Sequence, residues 1–290
     1  MTEIFPNYYG EFHCIADRCE HNCCIGWEID IDPETLAFYD LLDGEIGQTV
    51  RGGIERNECS HFKQDSNGRC ALLREDGLCD IICNLGEEAP CDICRDHPRF
   101  RNFLPDRTET GLGLCCPEAA RIILGQTENF TIPFPDGDEF GIFRQKIFDI
   151  LQDDTVSLED CIESALEICG VEQGDFGFSR LRKFFLSLER LDEKWEEKLA
   201  LLDKDEHPTD LFVRAFRRLL CYFVFRHLSP DDLSGGISFA VLSFNIIRRI
   251  FAAETRRDFA TLCDIARMYS SEIEYSDENL DAVFSLFEFE

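Results

Sequence analysis

Beyond residue 138 the hydrophobic pattern is helical almost throughout, and it predicts helices over 138–152, 157–169, 179–202, 209–227, 237–255, 258–271 and 276–287. In the fourth of these, Phe212, Phe216, Leu219, Leu220 and Phe223 keep one helical face, which marks a buried stripe. The pattern before residue 129 is different. Trp27, Ile29 and Ile31 alternate with Glu28, Asp30 and Asp32, the period of a half-buried strand. Asp32 and Pro33 then supply an N-cap and a first helical residue for a helix reaching about Leu42. From 52 to 117 the text is loop-like, with glycines, short apolar pieces and irregularly spaced cysteines. A short helix follows, with Cys116 near its N-cap, Pro117 opening it, Glu118 favourable to its dipole and Gly125 just past its end. After a turn-rich bridge over 129–138 the helices begin. The expected fold is mainly α: an irregular cysteine-rich region over 1–128 with little β, then an all-α bundle over 129–290.

A chain of 290 residues that is 44% apolar can fill a proper core and needs no disulfides to fold. With 26 phenylalanines, the bundle is expected to be packed with aromatic rings. The segment MTEIFPNYYGEFHC carries acidic residues where a signal peptide has basic ones, and no apolar run follows it, so a cytoplasmic protein is expected. The longest apolar stretches, 219–225 and 237–251, are interrupted by arginines and polar residues, and no membrane span is expected.

A formal charge of −29 repels a phosphate backbone, so nucleic acid is not an expected partner. Such a surface favours a cationic partner, for example lysines on another protein, or serves solubility or a salt-rich habitat. Only six of the 29 basic residues are lysine, which keeps the second reading open.

Twelve of the sixteen cysteines fall between Cys14 and Cys116. In a reducing compartment, grouped thiols bind metal or do redox chemistry more often than they form disulfides. The spacing runs C-x4-C-x3-C-C over Cys14, Cys19, Cys23 and Cys24, then Cys59, Cys70, Cys79 and Cys83, then Cys91-x2-Cys94 and the pair Cys115–Cys116. Thiolates suit zinc, copper(I) and iron-sulfur clusters. A zinc ribbon wants two C-x2-C knuckles, and only one is present. Neighbouring side chains on an extended segment point to opposite faces, so one cysteine of each adjacent pair is expected to ligate while the other packs. Four thiolates hold one [4Fe-4S] cluster, so twelve are enough for two sites. Cys161, Cys169, Cys221 and Cys263 lie on amphipathic helices and read as small core residues.

Six short motifs in order give the block a family likeness: C-E-H-N-C-C-I-G-W at 19–27, C-A-L-L at 70–73, G-L-C-D-I at 77–81, L-G-E at 85–87, C-x3-P-R at 94–99 and C-P-E-A-A-R at 116–121. Together they resemble the flagellin lysine-N-methylase family, and the region is also similar to cysteine-rich zinc- or iron-chelating domains. The likeness rests on residues 8–125; the helical remainder shares only its general character.

The resemblance implies methyl transfer from S-adenosylmethionine to flagellin lysines, with an iron-sulfur cluster, [4Fe-4S] in type and zinc as the alternative, held by the cysteine region. Its motif positions make Cys19, Cys23, Cys24, Cys70, Cys79, Cys94 and Cys116 the ligand candidates, with Cys14, Cys59, Cys83, Cys91 and Cys115 weaker. His97 stands where an imidazole would add to the site or serve as an ordinary loop residue. No G-x-G-x-x-G turn marks a common α/β methyltransferase, and no C-x3-C-x2-C triplet marks a radical enzyme. For the donor's cationic groups, Glu28, Asp30 and Glu118 are candidates, with solvated surface roles as the alternative; Arg99 and Arg121 offer hydrogen bonds to thiolates or form salt bridges. The competing reading is a non-enzymatic zinc-stabilised interaction module, and a secreted disulfide protein ranks last.

Overall fold

The longest apolar helices carry the architecture. Val213–His227 and Leu233–Ala253 run almost wholly buried, because nearly every face of each meets another apolar helix. Their rings interlock edge to face, Phe216 on Phe244 at 5.8 Å and Phe223 on Phe239 at 6.1 Å, the arrangement that aromatic quadrupoles favour. By length and composition alone Leu233–Ala253 could cross a membrane, which corrects the reading of 237–251 as too interrupted to do so. In this structure 83% of its apolar window is buried against neighbouring helices.

This computed structural model describes residues 2–287 apart from 173, 175, 176, 205 and 207–210. The chain divides into two compact units: His13–Arg99, and a larger one formed by Met1–Phe12 with Phe100–Glu290. Residues 100–128, grouped with the cysteine block in the sequence reading, pack in the larger unit.

In the larger unit, helices Pro117–Gly125, Glu139–Gln152, Leu158–Ile168, Phe178–Leu186, Lys194–Leu199, Phe259–Tyr269 and Asp277–Phe284 surround the central pair. Ser157, Asp232, Asp258 and Ser276 cap their helices by accepting the N–H three residues on. The helix expected over 209–227 begins at Val213; 209 and 210 lie outside the described residues. The one expected over 179–202 is broken. Phe178–Leu186 stops, and the next backbone is captured by distant side chains: Glu272 accepts from the N–H groups of Leu191 and Asp192 at 2.9 and 2.8 Å, and Asn279 from that of Glu189 at 3.2 Å.

A three-stranded sheet lies beside these helices. Its central strand Arg107–Leu112 pairs in parallel with Thr2–Ile4 and neighbours Arg99–Phe103. Glu109, fully buried on that strand, accepts two hydrogen bonds from Arg144 at 2.6 and 2.7 Å and one from Arg107 at 3.0 Å. The small number of lysines now has a structural reading. Arg107, Arg144, Arg217, Arg218, Arg248 and Arg267 are all buried, and a planar guanidinium satisfies several interior acceptors where an ammonium is a point charge.

Glu274 forms the second interior polar centre, at the end of a π-helical turn Ser270–Glu274 that continues Phe259–Tyr269. Its carboxylate meets Tyr222 at 3.0 Å, His227 Nε2 at 2.6 Å and Arg226 Nε at 3.3 Å, while the Tyr222 hydroxyl accepts the N–H of Leu114 at 3.3 Å. Burial pushes the Glu274 carboxyl up, but Arg226 and the His227 hydrogen bond together outweigh it and hold it below the usual range. Burial also lowers His227, so a neutral imidazole donates Nε2–H to a carboxylate whose counter-charge is Arg226.

The smaller unit has short elements: helices Pro33–Leu41, Gly44–Gly52, Asp80–Leu85 and Asp92–Asp96 and a two-stranded pairing of Ile54–Glu55 with His61–Phe62. Asp32 caps the first helix by accepting from Thr35 at 2.8 Å. The strand expected at Trp27–Asp32 is reduced to one bridge, Asp30 with His61, although Ile29 and Ile31 are buried as the alternation requires. The pairing backbone there, Ile31 N–H to Ser60 and Phe62 N–H to Ile29, is too short to continue.

Glu274→Gln removes the counter-charge of a largely buried guanidinium and is expected to cost about 3 kcal/mol, read as a lower melting temperature of the helical unit by circular dichroism. Both folded pKa values at this centre lie below their unfolded ones, so their stabilisation is complete above the unfolded values and is lost as pH falls, His227 first, below roughly 6.5. A His227→Gln variant should show a flatter loss of stability between pH 7.5 and 5.5.

Candidate metal centre

Two glycines set the geometry of the cysteine unit. Gly26 and Gly68 both hold positive φ, +89° and +71°, and Gly26 donates its N–H to Gly68 at 2.9 Å. A Cβ on Gly68 would stand a tight 3.1 Å from the Gly26 nitrogen, and together with the positive φ at both positions this close passage of two loops favours glycine. That passage brings Cys23 and Cys24 beside Cys70, whose N–H donates to the Cys24 carbonyl at 2.9 Å.

Two short helices add the remaining thiols. Cys79 is the N-cap of Asp80–Leu85 and bridges back to Leu73, while the Asp80 N–H donates to Leu72. Cys91 is the N-cap of Asp92–Asp96, which carries Cys94 one turn on. Asp32 fixes this helix by accepting the Asp92 N–H at 3.0 Å, and the Tyr39 hydroxyl donates to Ala89 at 2.9 Å just before it. The Tyr39 phenol is raised by burial first and then by Cys91, Cys94 and Cys79, which places its ring among the sulfurs.

Six thiols from four segments influence one another's ionisation, although among the described residues no three of their sulfurs lie within 4.8 Å of one another. Cys24 is raised by its hydrogen bond with Cys23, by burial, and by Cys23, Cys79 and Cys70. Cys94 is raised by its hydrogen bond with Cys91, by burial, and by Cys91, Cys24 and Cys23. Burial raises Cys70 and Cys79; Cys79 and Cys91 add to the shift of Cys70, and Cys83 with Asp80 to that of Cys79. The partners of the two hydrogen-bonded pairs move the other way: Cys23 is lowered to about 7 by the bond from Cys24, and Cys91 is lowered by the bond from Cys94. None of these six is in a disulfide.

The expectation that adjacent cysteines point apart is corrected here. Cys23 and Cys24 lie in a turn, not an extended segment, and their sulfurs hydrogen-bond. Of the seven ligand candidates, Cys23, Cys24, Cys70, Cys79 and Cys94 are gathered; Cys19 donates its thiol locally to the His21 carbonyl at 3.3 Å, and Cys116 caps Pro117–Gly125 in the larger unit. Cys91, left outside the motif positions, joins the group, and its C-x2-C spacing with Cys94 was the available signal. Cys14, Cys59 and Cys83 are exposed, and Cys115 is fully buried with Tyr275 hydrogen-bonded to its sulfur. Cys161, Cys221 and Cys263 are buried and Cys169 partly so, as small core residues are.

His97 packs edge-on to Trp27 at 5.6 Å, and burial, assisted by Arg99, lowers it to about 4, so its imidazole is neutral at ordinary pH. Glu28 and Asp30 gather with His61, their donor atoms within 4.8 Å of one another on an exposed face. Glu118 is engaged by Arg121 at 2.6 and 2.8 Å. Arg99 donates to the carbonyls of Arg95 and Asp96. An all-sulfur donor set suits a soft or thiophilic metal, and four of six thiolates are enough for a zinc ion or a [4Fe-4S] cluster.

Residues 137–290, more than half of the chain, match the family described as FliB lysine N-methylase C-terminal domain. Over 136 residues, 44% of its length, the chain is 29% identical to the flagellar biosynthetic protein FliU of Salmonella muenchen, a stretch that covers 80% of that protein. It is equally identical to proteins named lysine-N-methylase in Salmonella typhimurium and Salmonella choleraesuis, of which it spans 34%. No solved structure matches. The family match lies on the helical part, not on the cysteine motifs from which the resemblance was first read.

In metal-free protein kept reduced, alkylation of Cys23 should rise with pH through about 7 while Cys24 stays protected. Replacing Cys24 with alanine removes the hydrogen bond and should slow Cys23 alkylation at pH 7 by roughly tenfold, as its pKa returns toward about 8.5. Peptide mass spectrometry reads both, and an unchanged pH profile would show that the two sulfurs are not bonded.

Proposed function

The chain belongs to the FliB lysine N-methylase family, and on that premise we propose that it is a protein-lysine N-methyltransferase acting from S-adenosylmethionine on flagellin lysines, with a [4Fe-4S] cluster in its cysteine unit. The match over 137–290 carries the methylase reading. The family names of its Salmonella relatives support a flagellar substrate. For the cluster, the support is the nearness of Cys23, Cys24, Cys70, Cys79, Cys91 and Cys94, soft donors of which Cys24 and Cys94 are kept protonated by the hydrogen bond within each pair and by burial, and Cys70 and Cys79 by burial. When bound, such a cluster supplies thiolate-held iron that ties four loops together.

The transfer itself asks little of the chain beyond position and a proton. The lysine nitrogen lone pair attacks the methyl carbon, the carbon–sulfur bond breaks with its electrons going to sulfur, and S-adenosylhomocysteine leaves. An ordinary lysine is protonated below about 10.4, so the reacting amine must first lose its proton through desolvation or a base. A chain of net charge −29 attracts cationic substrate segments but also favours the ammonium form. Docking and deprotonation are therefore separate tasks, and the second belongs in a drier place than the surface.

Anaerobically purified protein should be brown, with iron and acid-labile sulfide in comparable amounts. Cys23→Ala, Cys79→Ala and Cys94→Ala should each weaken or abolish the visible band. Colourless protein with stoichiometric zinc would replace the cluster reading with the zinc module. Flagellin incubated with S-adenosylmethionine and the cluster-loaded protein should gain mass on lysine peptides in methyl-sized steps. An unchanged mass would overturn the enzyme reading.

A further inference from the structure

On one face of the small sheet in the cysteine unit, three segments lay their polar side chains side by side. His61 is the register partner of Glu55 in the pairing of Ile54–Glu55 with His61–Phe62, and on its other side it bridges Asp30. The bonds from Ile31 N–H to Ser60 and from Phe62 N–H to Ile29 hold that register. Alternation then sorts the residues by face. Ile29, Ile31, Ile54 and Phe62 join one buried core, whereas Glu28, Asp30, Glu55 and His61 emerge together on the opposite side.

The imidazole is the centre of this group. Its side chain is only 13% exposed, and Nδ1 lies 3.1 Å from the Cys59 carbonyl, which has no hydrogen to give, so Nδ1 carries the proton of that bond. Nε2 is left without a hydrogen-bond partner among the described residues. Glu28 Oε2 lies 3.9 Å from it and Glu55 Oε2 4.0 Å, and the donor atoms of Glu28, Asp30 and His61 all fall within 4.8 Å of one another. A backbone carbonyl on one ring nitrogen, with the other turned toward free ligands, is the arrangement by which proteins orient a metal-binding histidine.

Charge points the same way. In the neutral ring the Nε2 lone pair faces three carboxylates, and like charges on neighbouring strands repel. No lysine or arginine forms an ion pair with any of the three among the described residues. The basic groups of this sheet region are engaged elsewhere: Arg51, Lys63 and Arg69 donate to backbone carbonyls and Arg56 to Asp40. A proton on Nε2 offsets one charge of the three, whereas a dication accepts the lone pair and offsets two. Bonds of about 2.0–2.2 Å to nitrogen and oxygen let one ion span donors up to roughly 4.2 Å apart, so the exposed carboxylates need close by only a fraction of an ångström.

We propose that Glu28, Asp30, Glu55 and His61 form a second metal site, which takes a divalent first-row cation on one imidazole nitrogen and carboxylate oxygens. Its nitrogen and oxygen donors differ from the sulfur set of the thiol centre, so the two sites sort metals by softness. The ion acts as a clamp. It ties the Trp27–Asp32 segment, paired to the sheet by a single bridge, across His61 to Ile54–Glu55. The assignment is independent of the methyltransferase reading.

Mn²⁺, which carboxylates and imidazole bind and thiolates disfavour, is the probe. Added to the full-length protein in about 0.15 M salt, where diffuse surface attraction is screened, it should be taken up at one site, read as loss of the free-ion electron paramagnetic resonance signal. Pulsed resonance of the bound ion in the wild type should show coupling to a nitrogen-14 nucleus, a readout that needs no variant. His61→Gln and Glu28→Gln, checked by circular dichroism for an unchanged fold, should each weaken uptake at least tenfold, and His61→Gln should remove the coupling. Glu163→Gln with Glu167→Gln, which deletes an exposed acidic pair from the helix Leu158–Ile168, should change neither. Absence of uptake, bound Mn²⁺ without nitrogen coupling, unchanged binding in folded His61→Gln, or equal weakening by the Glu163/Glu167 pair overturns the site.

Discussion

The nearness of thiols from four segments is the constraint on which the proposed metal centre depends. The apolar core of the cysteine unit is small, ten buried residues from Ile29 to Cys91, against fifty in the cluster of the larger unit. Ten such residues do little to offset the conformational entropy of the loops between them. Sulfur-held metal supplies the difference in small domains, where apparent binding free energies of about 10–16 kcal/mol for structural zinc become folding free energy. On the proposed metal reading, the paired glycines at 26 and 68 and the N-cap positions of Cys79 and Cys91 bring thiols toward one another.

The larger unit solves the opposite problem. It has ample apolar burial and uses polar groups to choose one arrangement among many. Glu109 with Arg107 and Arg144, and Glu274 with Arg226, His227 and Tyr222, tie segments more than thirty residues apart in sequence. The Glu274 centre reaches the Leu114 N–H through Tyr222, and the neighbouring Tyr275 reaches the Cys115 sulfur, so the turn at 270–275 also ties down the segment before the helix at 117. Buried ion pairs add less stability than specificity, and their loss is costly because the surviving charge has no water.

Legibility in the sequence followed the range of the interactions. Helices such as Leu158–Ile168 and Asp277–Phe284 were visible because period and cap lie within a dozen residues. The break after Leu186 was not, since the charged text over 189–197 suits a helix and the capturing groups, Glu272 and Asn279, are about ninety residues away. The strand Arg107–Leu112 was hidden for the same reason: Arg107, Glu109 and Thr110 look solvated until Arg144 and Glu3 are brought to them. In the candidate site, motif order pointed to Cys23, Cys24, Cys70, Cys79 and Cys94, but Cys91 needed the fold.

The most direct measurement of the central claim is hydrogen exchange on the intact protein before and after metal is removed by a chelator under reducing, anaerobic conditions. If thiol-held metal organises the cysteine unit, amides over 13–99 should lose protection together while those of 213–253 keep theirs. Protection over 13–99 that survives complete removal of metal would contradict the account.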